Sequence, residues 1–167
     1  MKIAGVACAF PRNFYPQSEL LAALREHWRD KLPNPRMLDQ FFTRSGVESR
    51  HLVFPLEKYF EIGSFGETNN AFIEAAVELG EQAICRALAR GGYDRSQIGA
   101  LFFVSVTGVA NPSIDARLMN RMHLPHDVKR MPIFGLGCVA GAAGIARASD
   151  YVRAFPDRKS TRLNSSH

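Results

Sequence analysis

At 167 residues, 46% apolar and 22% charged, the chain has the length and balance of a protein that buries a real core, which excludes a disordered tract. Its net charge of +5 points to an anionic partner at first, but removing the three basic residues of the last ten positions from the 21 Lys and Arg leaves an excess of only two over the 16 acidic residues, so no nucleic-acid partner is implied. Cys8, Cys85 and Cys138 show no CxxC or Cys/His spacing, which excludes a zinc site or disulfide framework and suits a reducing, cytoplasmic setting.

Residues 3–10 read as a buried strand closed by Pro11, too short and too poorly flanked for a signal peptide. A helix is predicted from Ser18, its N-cap, to about Leu32, with Leu20, Leu21, Leu24 and Trp28 on one face and Pro33 and Pro35 beyond its end. A shorter helix over 37–43 leads to a turn at Ser45-Gly46, and 47–66 has too little periodicity for a long regular element. The clearest pattern is the apolar stripe over 68–89, which predicts a helix closed by Gly91-Gly92. Residues 100–106 (ALFFVSV) form a nearly all-apolar run, as expected of a strand covered on both faces. Pro112 opens a helix to about Met122, 131–134 reads as a second buried strand, Gly135-Leu136-Gly137 as a tight turn, and 138–155 as a helix.

This alternation predicts an α/β layered fold. The uncharged run 131–146 is below membrane-spanning length and contains Pro132 and four glycines, so it reads as core and no membrane span is expected. The final string RKSTRLNSSH has neither helical nor strand period and resembles a translated sequencing adapter. Residues 157–167 are therefore set apart as a non-native tail to a domain over 1–156.

The chemistry concentrates in MPIFGLGCVAGAAGIARASDY, residues 131–151, which sets a thiol after a strand and a glycine turn, at the first turn of a helix. Unpaired backbone N–H groups and the positive end of the helix dipole stabilise a thiolate at such a place. The small neighbours Gly137, Ala140 and Gly141 leave a substrate room to approach. From Cys138 to Ala146 the helix is apolar all round, which predicts burial, and Gly141 and Gly144, each costing about 1 kcal/mol against Ala, imply close backbone packing.

On position alone, Cys138 is either a nucleophile or a small hydrophobe. Cys8 and Cys85 lack the strand-turn-helix setting and read as core filler. Gly135-x-Gly137-x-x-Ala140 also matches the GxGxxA dinucleotide fingerprint, but no parallel strand ending in an acidic residue follows, and a thiol would crowd the pyrophosphate.

Three blocks, V-T-G-V-A-N-P-S-I-D-A-R-L (106–118), V-K-R-M-P-I-F-G-L-G-C-V-A-G-A-A-G (128–144) and A-R-A-S-D-Y (146–151), resemble the type III polyketide synthases, the chalcone synthase-like family, and the similarity runs over essentially all of 1–156. The resemblance implies the N-terminal half of a thiolase-like layered α-β-α-β-α fold. It implies Cys138 as the acyl-accepting nucleophile, acyl-CoA and malonyl-CoA as substrates with no further cofactor or metal, and a homodimer. The family's catalytic His and Asn would lie beyond this chain, so the fragment alone is expected to be inactive. His27, His51, His123 and His126 match no catalytic position and read as structural or solvated.

Of three family positions that bind coenzyme A through basic residues, Arg44 matches one; the others fall on Met37 and Gln40, and Arg36 or Arg50 are the candidates to compensate. Val106 and Asn111 stand where plant members carry a Thr lining the starter pocket and a Met reaching into the partner subunit's cavity. Two other readings stay open: a ketoacyl-carrier-protein synthase III, for which the basic docking patch is not evident, and a non-catalytic fragment exposing a broad apolar face.

Overall fold

A computed structural model of the chain describes residues 2–31, 33–156 and 159–165. It divides into two compact units, one of residues 10–67 and a larger one of residues 1–9 and 68–167. The predicted helix end at Leu32 and the tail junction at Asp157 lie outside the described residues.

In the smaller unit, β1 (Asn13–Pro16) pairs antiparallel with β2 (Ser49–Leu52), from Asn13 opposite Leu52 to Pro16 opposite Ser49. Asn13 extends the ladder by donating from Nδ2 to the carbonyls of Leu52 and Val53 at 3.1 and 3.0 Å. The helix α1 (Gln17–His27) starts directly from β1, with Pro16 at the cap position and no side-chain cap, so Ser18 does not cap it. Leu20 is buried, whereas Trp28, predicted on the apolar face, falls just past the helix end and is exposed. Asn34 accepts from the Arg36 amide to start α2 (Pro35–Arg44), and Arg25 of α1 donates to Asp39 of α2 at 2.7 Å. A single helical turn, α3 (Lys58–Glu61), interrupts the expected loop.

The larger unit is built on α4 (Phe65–Gly91), β3 (Ile98–Ser105), α5 (Ile114–Arg121), β4 (Lys129–Phe134), α6 (Ala140–Ala154) and β5 (Lys159–Ser165). Its three strands are parallel in the order β4-β3-β5. Every residue of β3 is buried, as its apolar run predicts. Leu101 and Phe103 pack with Ile84 of α4 and Leu118 of α5, while Ala100 and Phe102 face Ala148 and Tyr151 of α6. Each fully buried Leu or Phe contributes about 1.5–3 kcal/mol, so this central strand anchors helices on both faces. The helix–sheet–helix order within this unit is the α/β layering expected.

Three expectations are corrected. Residues 3–9 form no strand. Arg86 and Arg90 of α4 donate to the carbonyls of Cys8 and Val6 at 2.8 and 2.7 Å, so guanidinium groups take the place of a neighbouring backbone, and Cys8 is exposed rather than core filler. The strand β4 is not buried: it is the outer strand of the sheet, and only Ile133 is partly covered. An apolar run signals the need for cover without saying which element supplies it.

The third correction concerns α6, which buries only the stripe of Ala140, Gly144 and Ala148, facing the sheet, and leaves the rest of its apolar surface open or half-covered. Residues 159–165 pair in parallel with β3 from Ile98–Lys159 to Ser105–Ser165. Ladder hydrogen bonds are made by backbone, so a polar aperiodic segment can complete the second edge of a buried strand.

Candidate active site

Parallel pairing sets Ser105 of β3 opposite Phe134 of β4, so the segments leaving the two strands start side by side at the carboxyl end of the sheet. Open α/β sheets bind ligands at this end. The β4 exit turns through Gly135 and Gly137, whose φ angles of +85° and +55° lie where side chains are strained. A 3-10 turn, Gly137–Val139, then leads into α6. Cys138 therefore sits in the turn before α6, two residues ahead of the Ala140 start of a helix expected to begin at Cys138 itself. It is exposed, and among the described residues no hydrogen bond engages its sulfur. Leu136 and Val139 flank it as exposed apolar side chains. An accessible thiol on a turn with small and apolar neighbours is suited to accept an acyl group.

Val106 immediately follows β3, and Asn111 precedes Pro112 at the far end of the same loop; both are exposed. The strand register brings Val106 to the same sheet end as the Cys138 turn. Arg44 is the last residue of α2, exposed, and belongs to the smaller unit. In that unit Arg36, Met37 and Gln40 are exposed on the same helix, and Arg50 donates to Gln17 Oε1 at 3.3 Å. Cys85 lies half-buried on α4, with Arg95 Nη2 at 3.2 Å from its sulfur.

The histidines keep to other places. His27 stacks on Phe60 with centroids 4.4 Å apart, and His51 Nδ1 lies 2.9 Å from the Pro11 carbonyl. His123 and His126 precede β4, so its six residues set them about 20 Å from the turn at the other end. A cavity of about 470 Å³ also lies at that far end, between α5 and the start of β4, with His126, Lys129 and Arg130 in its wall. Its position argues against a role in chemistry at Cys138.

Two features of this region have no signal in residue pattern. Asp115, in the first turn of α5, is fully buried; its Oδ2 accepts from Arg130 Nη1 at 3.1 Å, and among the described residues its Oδ1 has no hydrogen-bond partner. Asn69 on α4 exchanges two hydrogen bonds with the backbone of Val109.

Known proteins place this architecture. The chain is 41% identical over 155 residues to 1,3,6,8-tetrahydroxynaphthalene synthase of Streptomyces peucetius subsp. caesius, a match covering 93% of this chain and 41% of that relative. The crystal structure of 1,3,6,8-tetrahydroxynaphthalene synthase from Streptomyces coelicolor A3(2), a bacterial type III polyketide synthase, superposes with a TM-score of 0.84 at 30% identity over 95% of this chain and 44% of that one. The structure of CsyB complexed with CoA-SH gives 0.79 at 26% identity, over 90% of this chain and 41% of that one. The chain thus spans less than half the length of these relatives and takes the N-terminal part of their thiolase-like fold. Residues 2–159 match the model of the chalcone and stilbene synthases, N-terminal domain, and the chain belongs to that family.

Proposed function

We propose that the protein is an acyltransferase, a type III polyketide synthase, and that Cys138 carries the growing acyl chain. The observation behind this reading is an exposed sulfur on a two-glycine turn, at the carboxyl end of parallel strands and in front of α6. The thiolate of Cys138 attacks the carbonyl carbon of an acyl-CoA starter, a thioester forms, and the coenzyme A thiolate leaves. Malonyl-CoA loses CO2, and the resulting enolate carbon attacks that thioester, forming the new C–C bond and returning Cys138 as thiolate. Covalent capture divides a difficult condensation into easier steps.

The enolate and the tetrahedral oxyanion require positioned donors. The His and Asn with which the family supplies them match no position here, so acyl transfer is the step assigned to this chain's own residues, and condensation is not. Arg44, an exposed cation, is the candidate for a coenzyme A phosphate contact, and the structural neighbour CsyB has been solved in complex with CoA-SH. Val106 and Asn111 are the candidates for the starter-pocket wall. No metal or further cofactor enters this reaction, whose reactants are coenzyme A thioesters. The open edge of β4, with exposed Met131 and Phe134, is consistent with homodimer formation. Among the described residues no helix is long and apolar enough to cross a membrane, and a cytoplasmic location is part of the proposal.

The test is to incubate the full-length protein with a long-chain acyl-CoA and map adducts by peptide mass spectrometry. The acyl group is expected on Cys138 and absent from Cys138→Ala. Cys8 is exposed as well, so indiscriminate thioester exchange would label both cysteines. Labelling of Cys8 to the same extent, or none at Cys138, would refute the assignment.

A further inference from the structure

The loop between β3 and α5 is held by a side chain from a third element. Asn69, in the second turn of α4, donates from Nδ2 to the Val109 carbonyl at 2.8 Å and accepts at Oδ1 from the Val109 amide at 2.9 Å. The exchange is reciprocal, so one side-chain amide does for one loop residue what a hydrogen-bonded strand partner would do. Only a carboxamide presents a donor and an acceptor side by side. A carboxylate of the same shape would keep the bond from the Val109 amide and set an oxygen against the Val109 carbonyl.

The neighbouring residue is gripped by contact. A Cβ on Gly108 would lie 2.4 Å from Phe72 Cδ1 and 2.7 Å from Asn69 Oδ1, so the loop backbone approaches α4 as closely as glycine allows. Phe72 stands three residues after Asn69 and shares its helix face. Two consecutive loop residues are thus fastened to α4, with Val106 on one side of the fastening and Asn111 on the other. The side chain of Val109 is exposed, so packing of that side chain does not hold the loop. Cys138 is carried by a different connection, from β4 to α6.

We propose that Asn69 is a positioning residue that sets the starter acyl-chain selectivity of Cys138 by latching the loop of Val106 and Asn111 onto α4. This rests on the acyl-transfer reading of Cys138. Freeing the latch moves the pocket wall and leaves the nucleophile's own turn in place. The effect therefore falls on KM and on the choice between starters, and the acylation rate at saturation is retained.

In the full-length protein, Asn69→Asp is compared with Asn69→Gln, which restores the carboxamide on a longer arm, and with Asn70→Asp as a neighbouring control. Hydrogen–deuterium exchange over residues 106–112 is expected to rise about tenfold in Asn69→Asp, to recover partly in Asn69→Gln, and to stay at the wild-type level in Asn70→Asp. The ratio of kcat/KM for Cys138 acylation by long and short acyl-CoA starters is expected to change by about fivefold or more in Asn69→Asp, through KM. Wild-type exchange, or a loosened loop with wild-type starter preference, overturns the latch while acylation itself persists. A wild-type protein that never acylates Cys138 overturns the acyl-transfer reading, and the selectivity role with it.

Discussion

Truncating Arg130 is expected to cost more stability than truncating Asp115, although Arg130 is the more exposed partner. Asp115 has no exposed side-chain surface, and its Oδ2 is held by Arg130 Nη1 at 3.1 Å while Oδ1 has no partner among the described residues; Arg130 keeps 40% of its side chain open to solvent. Arg130→Ala strands a carboxylate in the interior without its counter-charge, a change that costs about 3–5 kcal/mol. Asp115→Ala leaves a guanidinium that can turn to water through its open side. It loses a charged hydrogen bond worth about 1.5–3 kcal/mol, offset in part by about 1–3 kcal/mol from removing the unsatisfied oxygen. Loss of an acidic residue from the first turn of α5 adds about 0.3–1 kcal/mol. The net is a cost of about 1 kcal/mol at the middle of these ranges and about 3 kcal/mol at their extreme. The double variant should be milder than Arg130→Ala, because the stranded charge is gone. Urea unfolding followed by far-ultraviolet circular dichroism on the two single variants and the double reads all three values. At this size each kcal/mol moves Tm by about 2–4 °C. An Asp115→Ala variant as unstable as Arg130→Ala, or a double variant at the sum of the two, would refute the reasoning.

Two other perturbations probe the turn and the N-terminal segment. Gly137 has a φ of +55° and no atom within 4 Å of where a Cβ would stand, so its substitution cost is conformational only. Gly137→Val is expected to lose about 1–2 kcal/mol and to slow acylation of Cys138, whereas Gly137→Asn, tolerated in this region, is expected to fall short of both effects; thermal melts with adduct mass spectrometry check the order. A Cβ on Gly5 would lie 2.4 Å from the Ala87 carbonyl oxygen, which α4 holds fixed. Gly5→Val is therefore expected to lift residues 2–9 from α4, seen as faster proteolysis within that segment with unchanged helical circular dichroism, and wild-type proteolysis would count against the described contact.

Much of the site was legible because its constraints are local. The nearly all-apolar run at 100–106 marks β3 because a strand with helices on both faces keeps few polar side chains. Gly135 and Gly137 mark the turn because it takes positive φ at both. Cys138 stands out by its place between that turn and a helix, and the family blocks around it raise it above the other two cysteines. The elements misjudged were those whose state depends on neighbours. Residues 3–9 have a strand's composition, but arginine side chains take their carbonyls. The apolar β4 became an outer strand, and α6 was expected to be buried all round but covers one stripe. Apart from these, the pairing of residues 159–165 with β3 as β5 rests on backbone, which composition does not encode.

From the amino-acid order alone came the alternation of helices and strands, the buried central strand, the glycine turn and the thiol beyond it, since periodicity and backbone freedom act within a few residues. Only the tertiary structure decided that Asn69 holds Val109 across 40 residues of chain, that Asp115 is buried against Arg130, and that Val106 and the Cys138 turn leave the sheet at the same end. Those relations arise from strand register and helix packing. They join residues distant in sequence whose own side chains carry no mark of the partner they meet.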